Sequence, residues 1–290
     1  MAGFQYVRPT TLADAIAILQ MHGPDARLLS GGTDLLVRLR LGHIQPAVVV
    51  DLKRVAALNA GVEDIGAAIR IGARTVMTDL IADERIQRHY PGLVDAARVV
   101  GSVQIRNRAT LAGNICNASP AADTAPALLV YGAIVHIAGP DGERRIPLAE
   151  FFVGPGKTVL TRGDIVTSIE LPVPTEPAGA AFGRITRRKG VDLATINLVG
   201  LVTASGTARF AFGAVAPTPI LVSDASGALG ADQHDVDARR AALSRLIAHA
   251  RPISDVRGTR DYRLAMLHVM ADRTWRQAVD RLAQQIPKGR

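Results

Sequence analysis

The stretch RNRATLAGNICNASPAAD, residues 106–123, decides how the rest of the chain is interpreted. It concentrates side chains that form hydrogen bonds, and its apolar residues have too little periodicity for an ordinary helix or strand. Gly113 leaves room for close approach of a ligand, and hydroxyl and amide groups can replace water around a polar molecule. Two interpretations stay open: the stretch binds a polar ligand, or it is an Asx-rich turn that caps a helix beginning near Thr124.

A second stretch, residues 26–52, predicts a small βαβ unit with a glycine pair at its strand-to-helix turn. A strand at 26–29 leads into Ser-Gly-Gly-Thr-Asp at 30–34, and a helix at 35–41 then leads to a strand at 47–52. Backbone amides at such a turn attract a phosphate or pyrophosphate. The spacing is neither the three-glycine dinucleotide fingerprint nor the P-loop, so a plain turn is the alternative.

The amino-acid composition limits the classes of function that this chain can have. The chain has 290 residues, a formal net charge of +8 and 4% aromatic residues, with its only dense basic run at 184–189. Nucleic-acid binders concentrate basic charge in a stripe with aromatic residues between, so we expect anionic ligands or acidic partners instead. Cys116 is the single cysteine, which excludes an internal disulfide and a cysteine-rich metal site. Any iron-sulfur cluster must therefore lie on another chain.

The N-terminal ten residues are polar and basic, and no window is apolar for the length of a membrane helix. We therefore expect a cytoplasmic protein without a leader peptide.

The remaining pattern predicts an α+β chain divided by a proline-rich linker at 172–177. Thr11 is expected to cap a helix that Gly23 ends, and residues 79–89 are expected to form one helix. Glycines at 139 and 142 predict a β-hairpin. The other predicted elements are helices at 92–100, from about 124 to 131, at 237–249 and at 260–284, and strands at 68–73, 165–172, 180–186, 199–205 and 208–215.

The glycine turn and the 110–123 stretch, about eighty residues apart, together resemble the FAD-binding medium subunits of the molybdenum hydroxylases. That family includes carbon monoxide dehydrogenase and xanthine dehydrogenase. The resemblance extends along the whole chain, through Phe151–Phe152 with 154–160, the strand at 165–172, residues 187–189 ahead of 192–194, and 254–258 before Tyr262.

The resemblance implies an FAD-binding domain of the p-cresol methylhydroxylase and vanillyl-alcohol oxidase type at residues 1–175, with subdomains at about 1–57 and 58–175. A C-terminal α+β domain would occupy 178–290. FAD would lie extended between these parts.

By the same resemblance, one turn would hold the pyrophosphate and a second loop the phosphates and ribityl chain. Arg184 would compensate the phosphate charge, Asp123 would bind polar groups of the ribityl chain or ring, and Leu193 would cover the ring. The cofactor-binding residues implied are Leu28, Leu29, Ser30, Gly31, Gly32, Thr33, Asp34, Leu35, Leu36, Val100, Gly101, Thr110, Leu111, Ala112, Gly113, Asn114, Ser119, Asp123, Val166, Arg184 and Leu193.

Because flavin carries the redox chemistry in such a subunit, we expect no catalytic triad, no carboxylate pair and no metal ligands on this chain. The implied function is electron transfer from 2Fe-2S clusters of a small subunit through FAD to an external acceptor. A large subunit would hold molybdopterin, and the assembly would be a dimer of heterotrimers. A free-standing oxidase or dehydrogenase of the vanillyl-alcohol oxidase type and a binding module without flavin are the alternatives.

Overall fold

The computed structural model describes residues 3–231 and 235–286, and it places three main sheets in succession along the chain. The first sheet is parallel, in the order β1-β3-β2. Its elements are β1 (Gln5–Val7), α1 (Leu12–His22), β2 (Ala26–Leu29), α2 (Leu35–Arg40) and β3 (Val48–Asp51).

The predicted βαβ unit is thus present as β2, α2 and β3, and local chemistry explains the bounds of α1, the helix that precedes it. The Thr11 side chain accepts a hydrogen bond from the Asp14 backbone amide at 3.1 Å. Gly23 ends the helix with a φ of 50°, which a residue without a Cβ adopts most easily.

The second sheet is antiparallel, in the order β4-β5-β10-β6-β7, and it is accompanied by short helices and a small hairpin of β8 and β9. Its strands β6 and β7 form the predicted hairpin, with Gly139 paired to Gly142. The elements are β4 (Val62–Asp64), β5 (Ala68–Gly72), α3 (Met77–Ala82), α4 (Glu84–His89), α5 (Pro91–Arg98), α6 (Val103–Arg106), α7 (Leu111–Cys116), α8 (Thr124–Val130), β6 (Ile134–Gly139), β7 (Gly142–Pro147), α9 (Leu148–Phe151), β8 (Phe152–Gly154), β9 (Lys157–Thr158) and β10 (Ile165–Pro172).

Two predictions about helices in this region are wrong. Residues 79–89 were expected to form one helix, but the chain turns at Asp83, whose side chain accepts hydrogen bonds from the amides of Arg85 and Ile86 and starts α4. The 106–123 stretch, expected to lack an ordinary helix, contains α7. A helix of six residues is too short for its apolar positions to repeat, so periodicity could not reveal it.

The third sheet is antiparallel, in the order β11-β12-β13-β14, and α11 packs against its first two strands. The strand β14 follows two prolines, at 217 and 219, and was not predicted. The elements are β11 (Ala178–Ile185), β12 (Ile196–Thr203), β13 (Ala208–Gly213), β14 (Ile220–Ser223), α10 (Val236–Ile247) and α11 (Arg260–Ala283).

The third sheet is covered on both faces, and this joins it to the rest of the molecule. Helices α5 and α8 contact one face, and α11 contacts the other. Every residue of β12 is therefore buried, which explains its nearly continuous apolar sequence. Residues that alternate along the strands divide between two cores, with Val199 packed toward the second sheet and Leu198 toward α11.

The observed fold confirms the α+β class. None of the helices in the described part of the chain combines the length and apolarity that a bilayer crossing requires.

Candidate cofactor-binding site

A cavity of about 470 Å³ lies where the turn after β2 faces the loop that leads into α7. Apolar side chains and backbone form most of its wall, and polar side chains from both loops face it. The predicted site residues that line it are Leu28, Ser30, Gly31, Gly32, Thr33, Asp34, Leu35, Val100, Gly101, Thr110, Ala112, Gly113, Asn114 and Val166.

The two loops are in direct contact. The hydroxyl oxygens of Ser30 and Thr110 lie 3.0 Å apart and share a hydrogen bond. Beside them, Gly31 packs so closely on the backbone carbonyl of Arg108 that a Cβ at position 31 would overlap its oxygen. Glycine is therefore required at position 31 for the two loops to meet, and their convergence defines the site.

The turn of the first loop presents backbone donors toward the cavity. The amides of Gly31, Gly32, Thr33 and Asp34 donate to no acceptor within the described ranges. Gly32 has a φ of 79°, and the side chain of Asp34 does not cap α2. Adjacent free amides at the start of a helix form a concave donor surface suited to a phosphate group.

The second loop is fixed by its own side chains. Thr110 caps α7 by accepting a hydrogen bond from the Gly113 amide at 3.0 Å. The Asn114 side-chain oxygen accepts from the Thr124 hydroxyl at 2.7 Å, which joins α7 to the start of α8. The stretch therefore lines the cavity, and it caps α7 and not the helix that begins at Thr124, because the Asp123 side chain makes no capping hydrogen bond to α8.

A buried cluster of Asp123, Arg184 and Asn197 lies next to this region, between the second and third sheets. The Asp123 carboxylate accepts from Arg184 at 3.1 Å and from the Asn197 side-chain amide at 2.8 Å. Burial is the main influence on Asp123 and raises the pKa of its carboxyl to about 6, although Arg184 and Asn197 act in the opposite direction. Arg184 also donates to the carbonyl of Val99 at 2.9 Å.

The cluster retains hydrogen-bonding capacity. Arg184 Nε and the Asn197 side-chain oxygen are buried and have no partner in the part of the chain that the structure describes. The Asn197 oxygen packs against Gly213, where an added Cβ would lie 2.0 Å from it, and neither Arg184 nor Asn197 is on the cavity wall.

Comparison with known proteins settles the family. Residues 2–174 match the family described as FAD binding domain in molybdopterin dehydrogenase. The chain belongs to this family of FAD-binding flavoproteins. Residues 181–278 of the flavoprotein match a second family, the CO dehydrogenase flavoprotein C-terminal domain.

Curated relatives align over nearly their full length. The flavoprotein is 34% identical over 279 residues to the xanthine dehydrogenase FAD-binding subunit of Escherichia coli O157:H7, covering 94% of this chain and 95% of that one. It is 32% identical over 284 residues to the carbon monoxide dehydrogenase medium chain of Hydrogenophaga pseudoflava, covering 97% and 98%.

Solved structures agree with this assignment. A chain of carbon monoxide dehydrogenase from Hydrogenophaga pseudoflava superposes with a TM-score of 0.90 at 33% identity, covering 96% of this flavoprotein and 98% of that chain. A chain of quinoline 2-oxidoreductase from Pseudomonas putida 86 gives 0.87 at 27% identity, covering 96% and 97%. The predicted family, the FAD cofactor and the place among subunits of dehydrogenase complexes are confirmed.

The residues of the flavoprotein fit FAD on structural grounds. The free amides of the glycine turn suit a pyrophosphate, and at Gly113 an added Cβ would lie 2.7 Å from Thr110 Oγ1, so this part of the wall has no room for a side chain. The remaining wall is apolar enough to exclude water from a ring system.

Several predicted site residues lie away from the cavity wall. Leu29 and Leu111 are buried in the cores, whereas Leu36 and Leu193 are about half exposed. Ser119 uses its hydroxyl to accept a hydrogen bond from the Ala121 amide. Asp123 and Arg184 form an ion pair with each other at 3.1 Å.

Other residues line the cavity without having been predicted. Asn117 and Cys116 belong to the quoted stretch, and Arg38 lies one helical turn after Asp34, so spacing could have indicated all three. Val191 lines the cavity in the region where Leu193 had been expected. The full set is Arg27, Arg38, Ile44, Leu52, Ala73, Ile105, Ala109, Cys116, Asn117, Ile165 and Val191.

Cys116 is a partly buried side chain on the cavity wall, and burial raises the pKa of its thiol to about 12. The thiol therefore stays protonated and acts as a small apolar group.

The basic run at 184–189 does not form a stripe. Arg184 is buried against Asp123, Arg187 pairs with Asp192 at 3.2 Å, and Arg188 donates to the Val191 carbonyl. Within residues 3–231 and 235–286, no three His, Cys, Asp or Glu side chains gather in a way that could hold a metal ion.

Proposed function

We propose that this flavoprotein is an electron-transfer subunit whose FAD lies in the cavity between the two loops. Bound FAD supplies the redox chemistry, taking electrons from 2Fe-2S clusters of a partner subunit and passing them to an external acceptor. The protein's own residues bind and orient the cofactor and exclude water from it.

The convergence of the two loops carries this proposal. The Ser30–Thr110 hydrogen bond and the Gly31–Arg108 contact bring together two loops that lie far apart in sequence. Their shared cavity has free amides on one side and an apolar wall on the other. A pyrophosphate against the amides would gain charge-assisted hydrogen bonds without needing a nearby acid or base. The exposed guanidinium of Arg38 on the same wall adds positive charge.

The roles of individual residues belong to the same proposal. Residues 28–36 would hold the pyrophosphate, and 110–114 would hold the phosphates and ribityl chain. Asp123 would bind polar groups of the ribityl chain or ring, and Arg184 would compensate the phosphate charge. The division into a domain at 1–175 and one at 178–290 is also proposed, and the matched ranges 2–174 and 181–278 support it.

The partners are inferred from the relatives. Those named above include a medium chain, and another relative is a subunit of the 6-hydroxypseudooxynicotine dehydrogenase complex. We infer that a small subunit holds the 2Fe-2S clusters, that a large subunit holds molybdopterin, and that the complex is a dimer of heterotrimers in the cytoplasm. The relation to p-cresol methylhydroxylase stays a prediction.

The test separates cofactor binding from substrate oxidation. The purified full chain, titrated with FAD, should show flavin absorbance bands and quench flavin fluorescence with a stoichiometry near one. Alone, it should oxidise none of the substrates of its relatives, whereas co-expression with the neighbouring encoded chains should give a complex that does. Absence of FAD binding would refute the site, and substrate oxidation by the lone chain would refute the subunit role.

A further inference from the structure

Arg263, in the first turn of α11, donates hydrogen bonds to three segments of the chain. It is 3% exposed. One terminal nitrogen donates to the carbonyl of Thr195 at 2.7 Å and to that of Ala214 at 2.9 Å, and the other donates to Asp255 at 2.6 Å. Its partners lie in the turn at 255–258, at the start of β12 and after β13. The motif at 254–258 therefore has a structural role, because its Asp255 holds the Arg263 guanidinium in place.

Ala214, one of these partners, has an unusual backbone. Its φ is 61°, in the left-handed region that residues with a Cβ adopt at a cost. In this conformation its carbonyl points to Arg263, and its amide donates to the carbonyl of Pro120 at 2.6 Å. A single peptide segment therefore joins Arg263 to the loop at 118–123.

That loop follows directly on Asn117, which lines the cavity of the proposed flavin site. Other contacts of this loop are the Ala118 carbonyl, which accepts from the Gly156 amide at 2.9 Å, the Ala121 carbonyl, which accepts from the Asn197 side chain at 3.4 Å, and the Asp123 carboxylate. Ala118 is also left-handed, with a φ of 45°. Two strained residues persist only where surrounding contacts hold them.

We propose that Arg263 is a positioning residue for FAD binding. By fixing Ala214 in its left-handed conformation, it sets the position of Pro120 and thus of the loop that carries Ser119 and Asp123. This inference rests on the proposed function, because it assumes that the loop borders bound flavin.

The chemistry of the contact explains why an arginine stands there. A planar guanidinium can donate to two carbonyls and a carboxylate at once, whereas a lysine ammonium on its flexible stem cannot keep the same geometry. Asp255 orients the guanidinium from the other side, and its carboxylate also accepts from the backbone amide of Arg257 at 2.7 Å. Position 263 therefore depends on shape as well as charge.

The experiment compares two buried arginines of the full chain. Arg263→Lys should weaken FAD affinity about tenfold, consistent with the loss of charge-assisted hydrogen bonds. Arg239→Lys is the matched control, because Arg239 is 6% exposed and its partners, Asp272 and Trp275, lie on α11 away from the loop. It should leave FAD affinity unchanged, even if both variants melt at lower temperature. Affinity is measured by fluorescence titration below both melting temperatures.

A second variant tests whether Arg263 acts on FAD binding through the backbone of Ala214. Glycine adopts the left-handed conformation without a Cβ penalty, so Ala214→Gly should recover part of the affinity lost in Arg263→Lys. If Arg263→Lys does not fold, Asp255→Asn replaces it and should weaken FAD binding about threefold, as expected for one weakened hydrogen bond.

The results separate this inference from the proposed function. Unchanged affinity in Arg263→Lys, an equal loss in Arg239→Lys, or no recovery with Ala214→Gly would each overturn the positioning role while FAD binding by the native chain stands. Failure of the native chain to bind FAD would instead overturn the proposed function itself.

Discussion

The turn after β2 lines the cavity of the proposed flavin site and the loop before α8 adjoins it through Asn117, but the polar groups of the two segments are used differently. In the turn, the amides of residues 31–34 donate to no acceptor in the described part of the chain. In the loop, the carbonyls of Ala118 and Pro120 accept from Gly156 and Ala214, and the Asp123 carboxylate accepts from Arg184 and Asn197.

This difference indicates that the turn is suited to bind a ligand, whereas the loop is held in one conformation by the rest of the protein. Unpaired amides are stable at the turn because water can solvate them, and a phosphate can replace that water. In the loop, Ala118 and Asp123 are buried, and their polar groups would be costly to leave unpaired, so other parts of the protein form hydrogen bonds with them. We therefore expect changes at the turn to act on FAD affinity, and changes at the loop to act also on stability.

The largest expected effect comes from adding a single carbon where the loops meet. Gly31→Ala would place a Cβ against the Arg108 carbonyl, and because backbone cannot move aside cheaply the two loops must separate. FAD affinity should fall more than about 100-fold, which corresponds to roughly 3 kcal/mol.

Two other glycines make this a graded series. In Gly113→Ala the Cβ would lie 2.7 Å from Thr110 Oγ1, a side chain that can shift, so we expect about a tenfold loss of affinity. In Gly154→Ala the Cβ meets nothing within 4 Å, and FAD affinity should not change. Equal affinities for all three variants would show that the loops do not meet at the cofactor.

A pH dependence should distinguish the loop from the turn. The carboxyl of Asp123 has a pKa of about 6 in the folded protein and an ordinary value of 3.8. Between these values the folded chain holds a proton that the unfolded chain has released. Below about pH 4 the protonated Asp123 contributes its whole stabilisation to the free energy of unfolding. As the pH rises through about 6, that stabilisation is lost, and the free energy of unfolding falls by at most about 3 kcal/mol.

Urea unfolding of the FAD-free chain at several pH values measures this effect. Asp123→Asn has no proton to exchange, so the free energy of the native chain minus that of the variant should fall between pH 4 and 6 and then stay constant. Parallel pH curves for the two proteins would mean that Asp123 titrates normally, and that the cluster is not the buried support described here.

Local chemistry made much of the fold predictable from the sequence. Thr11 and Gly23 bound α1, glycines 139 and 142 form the hairpin, and the predicted strand at 165–172 coincides with β10. These features depend on neighbours within a few residues, so composition and spacing are enough to find them. The glycine turn was also visible, although the prediction that it binds a pyrophosphate needed the family resemblance to stand out from an ordinary turn.

The features that were missed depend on distant residues. The partners of Asp123 lie 61 and 74 residues away in sequence, and nothing local at Arg184 distinguishes an ion-pairing arginine from a phosphate-binding one. The left-handed backbone of Ala214 follows no sequence rule, because alanine is not favoured there. Asp83 was missed for a different reason: it caps α4 within an otherwise helical pattern and was read as part of a single helix.

The smallest expected effect concerns the single side-chain hydrogen bond between the two loops. Ser30→Ala removes the contact with Thr110, which lies 3.0 Å away, and should weaken FAD binding about fivefold, equivalent to roughly 1 kcal/mol. Thr110→Val should cost more, because Thr110 also caps α7 through the Gly113 amide. If the hydroxyl pair couples the loops, the double variant should lose less affinity than the two single losses combined, with a coupling of about 1 kcal/mol. Strict additivity would mean that each hydroxyl acts on its own loop, and that the packing of Gly31 on Arg108 alone joins the two sides of the site.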